Sequence, residues 1–569
     1  MNQHKTYEII ILGGGLAGLT LALQLCLSKK DISILILEKR SSNAPVATHK
    51  VGESIVELGS FYMREVLQLK EYLEEHQLPK YGFRFFFSPE QSGDISRRVE
   101  VGSKILRPIP AHQIDRGLFE NELLHRLSLL KVDMELGATV QKVELSQNVH
   151  KIHYEKAGQI HTKESRWIID ASGRRGFLRR SLNLAKTMDH HINAVWFRLE
   201  EDIDIDDWSE NEHWRRFLDE GNRRLATNHL MGEGYWIWII PLVSGHTSIG
   251  IVADPAFHSF EDIHTFDKAL LWLEKHEPQA GRIVQDKQDR LRDFKVMKQF
   301  AHDCQQFYSA DRWGLTGDAA AFMDPFYSPG TDFIALGNSW LTELIVRDLA
   351  GEDIRLRTMI YELAHRKLLD GWLLLYQQMY GIFGNTQIML LKIVWDWATY
   401  WAIPCLMFMN QGFTTIDVMK RYSATSNSIG QRFARLNLQM QQLFRDWASI
   451  DHTSYADQYV DVFELECVNQ FHEGLAQQHN PDELIRQVEA NVHTLEQMAA
   501  EIFRLVCAKV HGTPPDLKVN PYQMTLKNGI EHILSLAQHA SALALVESIQ
   551  QDMAKAWLPF SQHQTANYV

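Results

Sequence analysis

The stretch EIIILGGGLAGLTLALQLCLSKKDISILILE, residues 8–38, decides the fold of this chain. It reads as an apolar strand, a glycine-rich turn, a helix and a second apolar strand that ends in Glu38. Gly13 allows the turn, Gly15 lets a pyrophosphate approach the backbone, and Gly18 lets the helix pack closely on the strand. The helix N-terminus then faces the phosphates, and Glu38 is placed to accept hydrogen bonds from a ribose diol. The segment predicts a dinucleotide-binding unit without separating FAD from NAD.

Length and charge exclude several classes of protein. The 569 residues are too many for one hydrophobic core and predict roughly two to four folding units. A net charge of −13 argues against a nucleic-acid partner, because phosphate neutralisation needs clustered positive charge. The five cysteines are widely separated and form no CxxC pair, so neither a disulfide scaffold nor a zinc site is expected.

Location is predicted from what the sequence does not contain. No basic region, apolar core and cleavage site open the chain, so we expect a cytoplasmic protein without a signal peptide. Two uncharged segments, Gly371 to Leu391 and Trp397 to Ile416, approach the length of a membrane span. Both contain polar residues and the second contains Pro404, so we interpret them as buried or interfacial helices and expect no transmembrane segment.

Three further segments resemble the glutathione-reductase-like FAD fold of flavin monooxygenases and halogenases. They are RWIIDASG at 166–173, WGLTGDAA at 313–320, and QIDR at 113–116 before a predicted helix. The resemblance implies an α/β fold with an antiparallel-sheet substrate region and FAD as the cofactor. It also implies these cofactor-binding residues: Gly13, Gly15, Ala17, Gly18, Glu38, Ser54, Gln113, Arg116, Asp170, Gly317, Asp318, Pro325 and Gly330.

Three other places resemble the flavin-dependent halogenases in particular. The segment GYWIWIIP at 234–241 contains the WxWxIP pattern of that family, and FMDPFYSPG at 322–330 fits its Fx.Px.Sx.G pattern. The third is Gly52-Glu53-Ser54, which matches the GES element and is followed by Lys80 at the start of an aromatic run. Each has a plainer interpretation: two tryptophans in a sheet core, a loop that only seats the flavin, and a solvated surface lysine.

The halogenase resemblance implies a mechanism and its residues. Reduced FAD, O₂ and chloride or bromide would give hypohalous acid, which halogenates an electron-rich aromatic substrate with the help of Lys80. The lysine would act either as an ammonium that hydrogen-bonds the acid or as a neutral amine that forms a haloamine. Trp236 and Trp238 would separate flavin from substrate. The halide would bind at Ser328, Pro329, Gly330 and Thr331, and a separate flavin reductase would supply reduced FAD.

Departures from the family pattern bear on the substrate. Tryptophan halogenases carry a glutamate before the serine of the halide loop, where this sequence has Tyr327. That favours phenol, pyrrole or carrier-bound substrates over free tryptophan, as in the group that includes the chloramphenicol halogenase. The alternatives are a flavin monooxygenase that hydroxylates its substrate, a flavoenzyme that reduces lipid double bonds, and a non-enzymatic FAD-binding sensor.

The C-terminal third is predicted to be helical and without strands. Apolar residues recur at helical spacing over Arg432 to Trp447, Pro481 to His511 and Met524 to Trp557. We therefore expect an FAD-binding core over residues 1–345, with its substrate-side sheet at about 80–115 and 185–300, and a helical domain over 346–569. Five tryptophans (Trp340, Trp372, Trp395, Trp397 and Trp401) suit either a cavity wall or a helical core, and residues 371–416 are predicted to line or cover the acceptor site.

Overall fold

A computed structural model describes residues 6–47, 50–87, 93–218, 223–423, 427–452, 459–511 and 519–526. Its strands are β1 Thr6–Leu12, β2 Ile34–Glu38, β3 Ser54–Ile55, β4 Leu78–Pro79, β5 Phe83–Phe87, β6 Val99–Val101, β7 His112–Gln113, β8 Asp133–Leu136, β9 Thr139–Glu144, β10 His150–Lys156, β11 Gln159–Asp170, β12 Ala185–Lys186, β13 Asn193–Leu199, β14 Thr227–Gly232, β15 Tyr235–Pro241, β16 Thr247–Ala253, β17 Leu291–Met297, β18 Asp303–Cys304, β19 Tyr308–Ser309, β20 Trp313–Leu315 and β21 Tyr459–Val460. Its α-helices are α1 Leu16–Ser28, α2 Glu57–Phe61, α3 Lys70–His76, α4 Arg116–Leu129, α5 Phe177–Ser181, α6 Glu212–Arg215, α7 Phe266–His276, α8 Pro278–Asp286, α9 Gly330–Leu349, α10 Arg355–Leu373, α11 Thr386–Tyr400, α12 Leu406–Met409, α13 Ile416–Ser423, α14 Ile429–Ala448, α15 Glu466–Gly474 and α16 Pro481–His511.

The first sheet contains the predicted dinucleotide-binding unit. Its strand order is β19-β20-β11-β1-β2-β8, with β9 and β10 attached to β11. The strands from β20 to β8 pair in parallel, and the side chains of Ile9 to Leu12 in β1 are almost fully buried. Continuous apolar strands are typical of a parallel sheet that is covered on both faces. The ends of β1, β2, β11 and β20 therefore meet at one edge, where the predicted motifs lie.

The second sheet forms the predicted substrate side. Its order is β17-β13-β16-β15-β14-β5-β6-β21. Most pairs are antiparallel as predicted, but β14 pairs with β5, and β21 with β6, in parallel. The sheet is thus mixed, and β21 comes from the C-terminal third.

The C-terminal third is mainly helical, and the predicted helix over Pro481–His511 is confirmed at both ends. The prediction that this third contains no strands was wrong, because β21 adds Tyr459 and Val460 to the edge of the second sheet. Two residues are too short for the alternating pattern by which a strand is recognised in sequence. The predicted helix from Met524 lies outside the described residues from position 527 onward. The division at residue 345 falls within α9 and stays a prediction.

Most of the two uncharged segments lies in the protein interior, although Gln378, Gly381 and Gln411 are exposed. Of α11, all residues from Thr386 to Thr399 are buried, and Pro404 sits in a π-helical turn over Trp401–Cys405. In the described part of the chain, no helix has the length and apolar character needed to cross a membrane. Polar side chains in each segment hydrogen-bond within the fold: Gln387 Nε2 donates to Asp451, and Thr399 Oγ1 donates to the Asp396 carbonyl oxygen. This is the buried arrangement predicted for them.

Candidate functional site

Glycine-rich and polar segments from both sheets enclose a cavity of about 520 Å³, called here the glycine-turn cavity. It lies at the edge where β1, β2 and β11 end, and the sheet face of β14 and β15 closes it. The predicted residues in its wall are Gly13, Gly15, Ala17, Glu38, Ser54, Arg116, Asp318, Pro325 and Gly330, together with Trp236, Trp238, Ser328 and Thr331. The structure therefore brings thirteen of the predicted site residues to one cavity.

Besides Lys80, which is described below, five other predicted residues lie outside this wall: Gly18, Gln113, Asp170, Gly317 and Pro329. A Cβ on Gly18 would come within 2.1 Å of the Gly13 carbonyl oxygen, so this glycine permits the close packing of α1. The Asp170 carboxylate accepts hydrogen bonds from the backbone amides of Ser172 at 3.0 Å and Leu178 at 2.7 Å. Gly18 and Asp170 therefore hold the backbone next to the cavity in place, and contact of all five residues with a cofactor stays a prediction.

The glycine-turn cavity fits FAD. Gly13 has a φ of +115°, and a Cβ there would come within 2.4 Å of the Ala171 carbonyl oxygen. Among the described residues no side chain caps α1, so its first amides are available to a pyrophosphate. Among the described residues, Glu38 accepts hydrogen bonds only from the backbone amides of Gly14 and Arg40, which leaves lone pairs for a ribose diol. The Nε atom of Arg116 is buried without a partner in the described part of the chain, as expected for a donor that binds a ligand.

A second, larger cavity lies beyond the glycine-turn cavity. It has a volume of about 820 Å³ and is called here the lysine cavity, because Lys80 lies in its wall. Phe83 and Tyr327 line it on the core side. Helices α10, α11, α13 and α14 form much of the remaining wall. Three of the five clustered tryptophans line the cavity: Trp372, Trp397 and Trp401. Trp340 and Trp395 are instead buried in the helical core, so both interpretations of the cluster are partly right.

Lys80 is only 2% exposed, so it is not the solvated surface lysine of the plainer interpretation. It follows β4, and its backbone amide donates to the Ala111 carbonyl oxygen. Its ammonium nitrogen lies 3.6 Å from the centre of the Phe83 ring. Burial lowers the pKa of Lys80 to about 7, although the carboxylates of Glu57 and Asp332 counteract part of this effect. A lysine with such a pKa can be an ammonium or an amine near neutral pH.

Hydrogen bonds connect the two cavities through Lys80. Its Nζ atom donates to Ser54 Oγ at 2.8 Å, and Ser328 Oγ also donates to Ser54 Oγ at 3.1 Å. Ser54 and Ser328 line the glycine-turn cavity, whereas Lys80 lines the lysine cavity. Ser54 Oγ also lies 2.9 Å from Thr227 Oγ1, to which it donates once it has accepted the other two bonds. Ser54 of the GES element and Ser328 of the predicted halide loop, far apart in sequence, thus meet at the boundary between the two cavities. This boundary is called here the partition.

We expect the Lys80 amine to titrate near pH 7, about the value that burial gives its pKa. Because the Glu57 carboxylate favours the ammonium, Glu57→Gln should lower the pKa of Lys80 further. Lysine labelled with ¹³C at the ε-carbon would report the titration by NMR, with Lys80→Met identifying the signal. A midpoint near the ordinary lysine value of about 10.4 would contradict the burial seen here.

The two predicted tryptophans lie on the cofactor side. Trp236 donates from Nε1 to the Tyr380 hydroxyl at 3.0 Å, and Trp238 donates to Ser248 Oγ at 3.2 Å. Both line the glycine-turn cavity and neither lines the lysine cavity. Aromatic side chains on the other side of the partition are Phe83, Tyr327 and Trp397. A catalytic role of Trp236 and Trp238 stays a prediction.

The predicted halide loop is held by the helical part of the chain. Tyr327 and Ser328 have φ angles of +66° and +55°, which side chains rarely adopt and surroundings must enforce. The Tyr376 hydroxyl donates to the Phe326 carbonyl oxygen at 2.9 Å, and the Tyr327 hydroxyl donates to Asp396 at 3.1 Å. The loop conformation therefore depends on residues outside the loop, Tyr376 and Asp396.

Sequence patterns missed several charged residues of the lysine cavity. Glu57, Asp332 and Asp396 line it, together with the Tyr400 hydroxyl. Glu57 follows Ser54 of the GES element by three positions, and Asp332 follows Ser328 of the loop by four. An acidic residue just after each motif was therefore the pattern by which the sequence could have indicated them. The structure shows that both carboxyl groups face the cavity that contains Lys80.

A family model described as FAD binding domain matches residues 6–332, more than half of the chain. A flavin-dependent halogenase of Dictyostelium discoideum is 28% identical over 70% of either chain. A Pseudoalteromonas luteoviolacea brominase, named for pyrrole-2-carbonyl groups on a peptidyl-carrier protein, is 26% identical over 62% of this chain and 80% of its own.

Solved structures agree on the fold. Halogenase PltM aligns with a TM-score of 0.60 at 16% identity, over 86% of this chain and 97% of its own. The flavin-dependent brominase Bmp2 aligns with a TM-score of 0.52 at 21% identity, over 66% of this chain and 87% of its own. The predicted resemblance to flavin-dependent halogenases is confirmed, as is FAD as the cofactor. The chain belongs to the FAD binding domain family and, within it, is similar in sequence and fold to the flavin-dependent halogenases.

Proposed function

We propose that the protein is a flavin-dependent halogenase that acts on an electron-rich aromatic acceptor. The observation that carries this proposal is the buried Lys80, which hydrogen-bonds across the partition between two separate cavities. A hydroxylase would need its acceptor beside the flavin, whereas two cavities joined through one lysine suit an oxidant that is made in one and used in the other.

The glycine-turn cavity holds the cofactor and the halide in this proposal. Bound reduced FAD supplies, together with O₂, the oxidising equivalent that converts halide to hypohalous acid. Ser328, Gly330 and Thr331 line the cavity at the N-terminus of α9, a twenty-residue helix whose first amides favour an anion. Pro329 precedes that helix and shapes the turn. Reduced FAD comes from a separate flavin reductase in this proposal.

Lys80 receives the oxidant on the acceptor side. Lys80 donates a hydrogen bond to Ser54, which also accepts one from Ser328. From this position Lys80 can donate a hydrogen bond to hypohalous acid that arrives from the side of the two serines. The apolar wall of the lysine cavity excludes bulk water, which limits unselective loss of hypohalous acid. The low pKa of Lys80 leaves open both a hydrogen-bonding ammonium and a haloamine-forming amine.

The acceptor class follows from the wall of the lysine cavity. Its volume of about 820 Å³ and its aromatic lining suit an aromatic ring with an apolar substituent or a tethered chain. The pyrrole brominase mentioned above acts on carrier-bound groups by its name, which supports an aromatic acceptor but not a particular one.

Incubation with FAD, a flavin reductase, NADH, bromide and a panel of phenols, indoles and pyrroles tests the proposal. The expected result is a product with the paired bromine isotope masses, formed only when bromide and the reductase are both present. A product that gains oxygen instead would identify a flavin monooxygenase. Absence of any product despite bound FAD would leave a binding protein.

Replacement of Trp397 should change the range of acceptors before it changes FAD binding. Trp397→Ser enlarges the lysine cavity, whereas the matched Trp395→Ser removes a core tryptophan that does not line it. We expect the second variant to lose about 3–5 kcal/mol of unfolding free energy and the first to lose less while accepting bulkier rings. Chemical unfolding, FAD titration and the acceptor panel check both. If Trp397→Ser lost FAD binding together with the change in acceptor range, residues 371–416 would be part of the protein core and would not form an acceptor site.

A further inference from the structure

The mechanism above gives no role to Asp332, a buried acidic residue of the lysine cavity. Asp332 lies in the first turn of α9 and is 1% exposed, yet its side chain forms part of the cavity wall. Its Oδ1 accepts the Gly59 amide at 2.9 Å and its Oδ2 accepts the Tyr400 hydroxyl at 2.8 Å. An ionised carboxylate has about four acceptor positions, so two remain for a ligand in the cavity.

We propose that Asp332 accepts the hydroxyl proton of the acceptor, and that the acceptor is therefore a hydroxyarene. This inference rests on the proposed function for the role of the cavity, and it narrows the electron-rich aromatic class to phenols. A pyrrole ring held through an acyl group or a plain aromatic ring would not use this carboxylate as a proton acceptor.

Glu57 and Asp332 are the two carboxyl groups of the cavity wall whose charges act on Lys80, and their surroundings distinguish them. Burial works against ionisation of Glu57, but the neighbouring imidazole of His472, whose Nε2 lies 3.6 Å from Glu57 Oε1, outweighs it and lowers the pKa of Glu57. Burial and the charge of Glu57 raise the pKa of Asp332 to about 8, despite the hydrogen bonds that it accepts. Asp332 is thus the better proton acceptor, since a useful base has a pKa near the working pH.

The groups that face Asp332 come from four elements. Glu57 of α2 raises its pKa, whereas Lys80, after β4, lowers it and so do the hydrogen bonds of Tyr400 and Gly59. Cys405 of the π-helical turn lies in the same cluster, where burial raises the pKa of its thiol and keeps it uncharged at neutral pH. The charged neighbours of Asp332 are therefore one carboxylate and one lysine of variable charge.

The proton step balances within the cavity. The O–H bond of the hydroxyarene breaks, its proton joins a carboxylate oxygen of Asp332, and the electron pair stays on the ring oxygen. The resulting phenolate directs electron density to the ring carbon that forms a bond with the halogen. As this bond forms, the bond from the halogen to the oxygen of hypohalous acid, or to the nitrogen of a Lys80 haloamine, breaks. Its electron pair leaves with that oxygen as hydroxide or water, or with the Lys80 amine. The proton later released from that carbon leaves to solvent or to Lys80, and Asp332 loses its own proton before the next turnover.

Binding of 4-propylphenol and of its methyl ether to the chain with oxidised FAD tests the inference without turnover. The ether fills the cavity but cannot donate a proton. Calorimetry between about pH 6 and about pH 9, below the ordinary phenol pKa of about 10, should give a preference for the phenol that rises to at least about tenfold as Asp332 ionises near pH 8. Asp332→Asn should abolish this pH dependence.

Two further variants test the inference without removing the carboxyl group. Glu57→Gln removes a negative charge and should shift the rise to lower pH, whereas Tyr400→Phe removes a donor to the carboxylate and should shift it to higher pH. Equal affinity for the phenol and the ether, or an unchanged profile in Asp332→Asn, would overturn the inference. A chain that shows the expected binding but yields no brominated product would refute the proposed function while leaving the role of Asp332 intact.

Discussion

Replacement of Lys80 by alanine is expected to lower the rate of halogenation by about 10²–10⁴-fold, the usual contribution of one positioned catalytic group. The reason is that Lys80 donates a hydrogen bond to Ser54. Among the described residues, this is the only hydrogen bond that connects Ser54 and Ser328 with a side chain of the lysine cavity. FAD binding should be unaffected, because Lys80 does not line the glycine-turn cavity. Product masses and FAD titration measure the two effects on the same sample.

The matched control is Lys70→Ala, which removes an exposed lysine at the start of α3. It should retain the halogenation rate. Consumption of NADH in the coupled assay should continue in Lys80→Ala, with hypohalous acid released to solvent and detectable by a trapping thiol. A hydroxylated product that persists in Lys80→Ala would show that the lysine is not part of the chemistry and would favour the monooxygenase alternative.

The cofactor side of the molecule could be predicted because its motifs are local. In residues 8–38 the strand, the turn and the helix are adjacent in sequence, so the spacing of Gly13, Gly15 and Glu38 already defines their spatial relation. The same holds for Asp318 and Gly330, which follow one strand of the first sheet. Their place in the cavity wall needed only the rule that parallel strands end at a common edge.

The acceptor side could not be predicted in the same way, because its partners are distant in sequence. The Tyr400 hydroxyl reaches Asp332 across 68 positions, and Tyr327 reaches Asp396 across 69. The helical segment after the GES element is also interrupted, since Gln68 adopts a φ of +56° between a π-helical turn over Tyr62–Val66 and α3. Periodicity reports which face of a helix is apolar, but it does not report which buried polar groups meet across helices.

Loss of the Asp396 carboxylate is expected to have a large effect on stability. Lys392 and Asp396 are one helical turn apart in α11 and both are buried, with Lys392 Nζ 2.7 Å from Asp396 Oδ2. Gln441 bridges the pair, since it accepts from Lys392 at 2.8 Å and donates to Asp396 at 2.8 Å. Asp396→Ala should lower the free energy of unfolding by about 3–5 kcal/mol, because it leaves a buried lysine without its counter-charge. Denaturant unfolding measures this loss.

The double variant Lys392→Met/Asp396→Leu separates the ion pair from the function of Asp396. Apolar replacement of both charges is often neutral for stability, so the double variant should be much more stable than Asp396→Ala. It still removes the acceptor of the Tyr327 hydroxyl, and the left-handed backbone of Tyr327 and Ser328 then loses a contact that enforces it. We therefore expect its bromide KM to rise severalfold while FAD affinity stays near that of the unaltered chain. A double variant with recovered stability and unchanged bromide KM would show that Asp396 stabilises the helices without positioning the halide loop.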